Sequence, residues 1–478
     1  MNRGSPHSRQ FYLLFVLINA AVMFASFPLY SQTPERGVPE PIQSPNAATS
    51  SQIRAAASLL QQGRPNDAEP ILRQLLHGAP GNADAHNLLG IVLDQRGEFR
   101  SAETEYRAAL RLNPALTPAL ANLGVLLART GHATEAVAAF RSVLQKVPDH
   151  PQATLNLGLQ YATRGDYALA IPLLERAGTL VGDVYPLRFN LGVALYQLKR
   201  YDEAATALQT AATLAPGAAE PLYYLGLIQW ERKQPEAAAD FWDRAVQLRP
   251  NFPEANFMLG EALRKNRRAE ASLEFYQRAL DQDAAKFVYY ARLGGAYVQL
   301  GYADKALAVF RRGVERFPKL AEAHYFVGIA ARARADYQLA EAELRASLGL
   351  QPGNADALAQ LGFILGEQDR AMEAEKVLRG ALAINSRHFY ASYDLGRLLV
   401  KAKRYAEALP LLRNAATLKP QNPSVHYQLF LALSRLNQKE AAAAELLVFK
   451  QLEAERKAKP QADDETELEN PEPSATPS

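Results

Sequence analysis

The chain of 478 residues contains no cysteine, which excludes disulfides, thiolate zinc sites, iron–sulfur clusters, a cysteine nucleophile and a lipidated cysteine. It also lacks a phosphate-binding P-loop, a dinucleotide-binding glycine motif and an HExxH pair. Runs of Val, Ile and Thr are absent, whereas Ala and Leu dominate, and that balance favours helix over sheet. No large charge excess is present either. Residues 32–450 hold 48 Lys/Arg against 42 Asp/Glu, a mild surplus that makes no case for a nucleic-acid partner. What is present is 48% hydrophobic residues with 22% charged, enough apolar material for a large core.

The ends differ from the middle. Arg3 and Arg9 precede a charge-free apolar run from Phe11 to Phe24, followed by Ala25, Ser26 and Ser31. This pattern reads as a secretory signal over residues 1–31, cleaved between Ser31 and Gln32. An uncleaved anchor over residues 11–30 is the alternative, and both place the remainder outside the cytoplasm, periplasmic or extracellular. Residues 32–48, with Pro34, Pro39, Pro41 and Pro45, read as an extended linker. Residues 460–478 are acidic and contain several prolines, the composition of a disordered tail.

Between them the sequence repeats itself. Glycine recurs at Gly90, Gly124, Gly158, Gly192, Gly226, Gly260, Gly294, Gly328, Gly362 and Gly396, always 34 residues apart, and Phe430 takes the next slot. Twelve residues after each stands a small residue (Ala102, Ala136, Ala170 and onward), and four further a large apolar one such as Tyr106, Phe140, Trp242 or Phe310. Prolines close most units, at Pro114, Pro148, Pro216, Pro250, Pro318, Pro352 and Pro420. Each unit predicts two amphipathic helices, joined near Gly97, Gly131, Gly165 or Gly301, with the proline ending the second. No unit can bury its apolar stripe alone, so stacking is obligatory. A second period overlies the first: the closing proline is missing at Gly182, Ala284 and Ser386, each followed by an aromatic, Tyr185, Phe287 or Phe389. That suggests a super-unit of three repeats.

The 34-residue pattern resembles the tetratricopeptide repeat family, whose units read W-x2-L-G-x2-Y, then A-x3-F, then P. The stretch from Ala85 to Pro114 is a fair specimen, and only the family's tryptophan is consistently replaced. The resemblance implies an all-α, right-handed superhelical solenoid of eleven to twelve antiparallel helix pairs over residues 49–456. Residues 49–82 would form a degenerate first repeat, and residues 423–459 the last repeat with its capping helix. It further implies a protein-binding scaffold rather than an enzyme, without cofactor or metal.

Candidate binding residues follow from slots on the first helix of each repeat. Asn122, Asn156 and Asn190 share one slot in three successive repeats, which resembles the asparagine ladder in the repeat domain of O-linked N-acetylglucosamine transferase. No glycosyltransferase domain follows, so that activity is not implied. One position earlier the chain turns aromatic, with Phe189, Tyr223, Phe257, Tyr325, Tyr393 and Tyr427, and Tyr224 ends the asparagine row. The tyrosines are expected to face the groove, where aromatic contact area is inexpensive in entropy. Phe189 and Phe257 are expected to pack between helices. Arg397 and Lys401 resemble the last basic pair of the carboxylate clamp in chaperone-binding members, although the other clamp positions hold Tyr325, Ile329 and Phe363. His86, His324 and His426 share a slot but lie too many repeats apart to converge on a metal.

These readings lead to an exported scaffold or adaptor that binds a protein or peptide segment along its concave groove. It would serve assembly of an envelope, secretion, pilus or polysaccharide-export complex. Two alternatives stay open: a non-catalytic, substrate-presenting subunit of an enzyme complex such as a glycosyltransferase, and glycan binding by the groove aromatics. The expected partner is a protein or peptide in the cell envelope, with membrane contact only through an uncleaved N-terminal segment.

Overall fold

A computed structural model describes residues 47–458. The proposed signal or anchor, nearly all of the linker and the acidic tail lie outside that range. Within it are 24 helices and no strand, with eleven antiparallel hairpins formed inside the two units into which the described chain divides. The degenerate stretch at 49–82 folds as the pair Ala47–Gln61 and Pro65–Gly78, and the chain's last described helix, Lys439–Ala458, is the longest. The protein is an all-α solenoid that divides into two units, residues up to Lys233 and residues from Gln234 onward. That division falls between Glu220–Glu231 and Pro235–Leu248, the two helices of the sixth repeat.

The glycine slot exists because two helices of one repeat cross in close contact there. A Cβ added at Gly90 would stand 2.6 Å from the Tyr106 ring, and one at Gly124 2.7 Å from Phe140. Tyr106 and Phe140 are themselves wholly buried, so the ring sixteen residues on fills the space the glycine vacates. Ala102, Ala136, Ala170 and Ala204 are also fully buried, which lets the second helix approach.

The turn between paired helices recurs within each unit. The first helix ends in a doubled cap: in the second repeat, Glu98 N–H donates to the Leu93 carbonyl at 2.9 Å and Gly97 N–H to the Asp94 carbonyl at 3.0 Å. This closure needs a left-handed residue. Glycine supplies it at 63, 97, 131, 165 and 301, but Lys199, Lys233, Arg267, Ala335, Asp369, Lys403 and Asn437 adopt φ of 57–63° in the remaining repeats. The tertiary repeat therefore overrides local preference at seven turns that the glycine pattern does not mark.

At the loops without a closing proline, the aromatic that opens the next helix packs locally. Tyr185 stacks on Phe189 at 5.6 Å, Phe287 on Tyr290 at 6.4 Å and Phe389 on Tyr393 at 6.1 Å. The three-repeat period thus has a physical counterpart in aromatic packing.

Candidate binding groove

In the first unit the first helices of neighbouring repeats (Ala83–Gln95, Thr117–Arg129, Pro151–Thr163, Tyr185–Gln197, Glu220–Glu231) touch one another in series. The second unit does likewise from Phe287–Gln299 through Pro423–Arg435. The second helices make no comparable contact with each other, so in each unit the first helices form the inner layer and their outward-facing side chains line it.

Asn122, Asn156 and Asn190 lie in register on this layer, but their amides are partly committed. Asn122 Nδ2 donates to Asn87 Oδ1 of the preceding repeat at 3.1 Å. Asn156 Nδ2 donates to the Gln152 carbonyl at 2.8 Å, and Asn190 Nδ2 to the Pro186 carbonyl at 2.7 Å. One of the two N–H groups of each amide thus serves the scaffold. Asn122 and Asn156 are half-buried, whereas Asn190 is buried.

The aromatic slot requires a correction. Tyr223 is only 2% exposed and Tyr325 5%, so neither faces an open groove, and Tyr224 is buried as well. The cause is crowding by neighbouring rings. Tyr224 has Phe189, Tyr196 and Tyr223 within 6 Å of its ring centre, and Tyr325 sits at 5.7 Å from Phe326. Burial also raises the hydroxyl pKa of Tyr325 above its ordinary value. Phe189 and Phe257 are buried, as their packing role requires. Only at the end of the array does the slot open: Tyr393 is half-buried, and Tyr427 is 40% exposed beside Phe449.

The basic pair is also differently engaged from the clamp it resembles. Arg397 donates to Glu367 at 2.9 Å, and Lys401 pairs with Asp369 at 2.7 Å. Both carboxylates belong to the preceding repeat, so these cations link repeats. Nearby, Arg397 and Arg332 approach the Phe363 ring at 5.5 and 5.2 Å. Asp394 lies under this group, 8% exposed and 3.7 Å from Arg397. Burial pushes its pKa up to about 7, against the pull of Arg397 and Arg332. Gly362, Phe363, Gly366, Asp394, Arg397 and Lys401 line one shallow recess. Asp394 and Arg292 occupy the same repeat slot as the three asparagines, so a slot-by-slot comparison could have found them. Their charge, rather than their position, hides the kinship.

The histidine slot has a structural use. His86 Nδ1 lies 2.6 Å from Glu105 and its Nε2 3.0 Å from the Pro80 carbonyl. His324 with Glu343 and Pro318, and His426 with Glu445 and Pro420, repeat the arrangement. Each ring clasps the two helices of its repeat to the preceding loop.

Family models described as tetratricopeptide repeat match residues 59–124, and 121–179 with 189–253. A model described as cilia and flagella-associated protein 70 C-terminal domain matches residues 242–468. Among solved structures the chain is similar to Pseudomonas aeruginosa pilF, at 24% identity, covering 45% of this chain and 97% of that one, with a TM-score of 0.40. It is similar to YrrB, described as a TPR protein with an unusual peptide-binding site, at 22% identity, covering 39% and 95%, TM-score 0.36. For the Cut9–Hcn1 hetero-tetramer of the APC/C the values are 12% identity, 81% and 97% coverage, and TM-score 0.42. No curated protein matches the chain.

Proposed function

We propose, from the premise that this chain belongs to the tetratricopeptide repeat family, that it is a non-catalytic scaffold holding a segment of another protein along its inner helix layer. The observation that carries this reading is the asparagine row. Three asparagines stand at one slot of successive repeats, and one repeat advances by about 10 Å, the length of three extended residues at about 3.3 Å each. A backbone N–H of a bound segment could therefore meet the same acceptor once per repeat. Arg129, seven residues along the helix from Asn122, is paired with Asp94.

The scaffold works outside the cytoplasm on this reading, and the support is the basic, then apolar, then small-residue order of residues 1–31. Assembly of an envelope complex, such as a secretion, pilus or polysaccharide-export machine, is the process proposed. The test is capture from the exported fraction by tagged wild-type chain and by the triple variant Asn122→Ala, Asn156→Ala, Asn190→Ala. Capture should fall at least tenfold in the variant while its helical content is kept. Undiminished capture would remove the asparagine row from the function, and N-terminal sequencing of the recovered protein reports whether residues 1–31 are cleaved.

A further inference from the structure

The charge of this chain is unevenly placed. Residues 32–388 hold 39 Lys/Arg against 38 Asp/Glu, close to balance. The last two repeats, residues 389–458, hold eleven against six, and residues 459–478 hold one against six. The solenoid's positive surplus of five therefore sits almost entirely on the repeats that adjoin a tail of net charge −5. The surface is aromatic as well as basic. Along the inner layer of these repeats stand Tyr393, Arg397 and Lys401, then Tyr427 and Arg435, with Lys401, Tyr427 and Arg435 exposed.

We propose that residues 460–478 dock in cis on the inner face of the last two repeats, over Tyr393, Arg397, Lys401, Tyr427 and Arg435. The tail's chemistry fits on both counts: Asp463, Asp464, Glu465, Glu467, Glu469 and Glu472 meet the cations, and Pro471 and Pro473 meet the tyrosine faces. Its attachment point fits too. Lys439–Ala458 runs antiparallel to Pro423–Arg435 and has 20 residues against 13. It therefore ends about 10 Å beyond the start of that helix, on the side where Tyr427 lies. From there a return of about 10 Å to the start of that helix, about 12 Å more along the first helices and an advance of about 10 Å per repeat reach Arg397. The fourteen residues 459–472 span up to about 46 Å when extended, so the acidic run covers that distance. The existing pairs Arg397–Glu367 and Lys401–Asp369 are part-exposed or exposed, and such pairs resist exchange weakly.

The docking itself needs no external partner to test, so its failure and that of the scaffold reading are separable. The probe is a fluorescein-labelled peptide of residues 460–478, titrated by anisotropy against three full-length proteins. These are wild type, a tail variant carrying Asp463→Asn, Asp464→Asn, Glu465→Gln, Glu467→Gln, Glu469→Gln and Glu472→Gln, and that variant with Arg397→Gln, Lys401→Gln and Arg435→Gln added. The tethered tail competes at an effective concentration on the order of millimolar. The peptide should therefore bind the tail variant at least tenfold more tightly than wild type. The added substitutions should remove most of that binding, and raised salt should weaken it. Equal binding to wild type and tail variant would overturn docking in cis. No binding to the tail variant, or binding that survives the three added substitutions, would overturn the site. Concentration-dependent dimerisation of wild type, lost in the tail variant, would show docking onto a second copy and overturn the proposal as well.

Discussion

One slot, occupied by tyrosine at 223, 325, 393 and 427, gives a graded test of how position in the array sets the energetic role of a side chain. The backbone environment repeats, but exposure runs from 2% at Tyr223 and 5% at Tyr325 to 40% at Tyr427. A buried aromatic removes roughly 150–250 Å² from water, and at about 25 cal/mol per Å² this is an upper bound of about 4–6 kcal/mol. Tyr325→Ala should accordingly cost about 3–5 kcal/mol, including the cavity left against Phe326. Tyr427→Ala, with much of its ring already wet, should cost less than about 1.5 kcal/mol, and Tyr393→Ala should fall between. Because each repeat couples to its neighbours only, the loss should be local. Amide exchange followed by mass spectrometry would show it: protection should collapse across helices Phe287–Gln299 to Ala355–Glu367 in Tyr325→Ala and remain elsewhere. If Tyr325→Ala and Tyr427→Ala lower stability equally, burial does not govern this slot and the reasoning fails.

Two further perturbations follow from the same geometry. Ala335 holds φ of 57° at a turn where five other repeats use glycine, so Ala335→Gly should stabilise by about 0.5–1 kcal/mol in urea denaturation, and Gly131→Ala should destabilise by about as much. Asp394 is pushed up to about 7 from an ordinary value of 3.8. Between those pH values the folded chain holds a proton that the unfolded chain has released, so this residue lowers stability as pH rises from about 4 to 7. Asp394→Asn should remove that fall and gain on the order of 1–3 kcal/mol at pH 8 relative to wild type, with little difference at pH 4. A wild-type-like pH dependence in Asp394→Asn would place the titration elsewhere.

The architecture was legible because 34-residue spacing acts at every level: glycine at 90 and a ring at 106 are one packing contact, and the same pair recurs along the chain. The turns were half legible. Gly97, Gly131, Gly165 and Gly301 mark them, but Ala335 and Lys403 do not, because packing of the two helices imposes the left-handed turn whatever residue stands there. The groove was less legible still. Sequence separates the face of a helix from its buried stripe, but it does not show which neighbour covers that face. Tyr223 and Tyr325 share a slot with Tyr427 and lose their exposure to the flanking rings Tyr224 and Phe326. Arg397 and Lys401 were visible as a basic pair, whereas their carboxylate partners Glu367 and Asp369 stand about a repeat away in sequence.

The central claim is that the inner helix layer is where another polypeptide is held. Site-specific photo-crosslinking in the native cell tests it most directly, with the crosslinking residue placed at Asn122, Asn156 or Tyr427 on the inner layer, or at Arg107 or Glu203 on second helices. Crosslinks to a second polypeptide from the inner positions, and none from Arg107 or Glu203, are the expected result. Crosslinks confined to the second-helix positions would contradict the account.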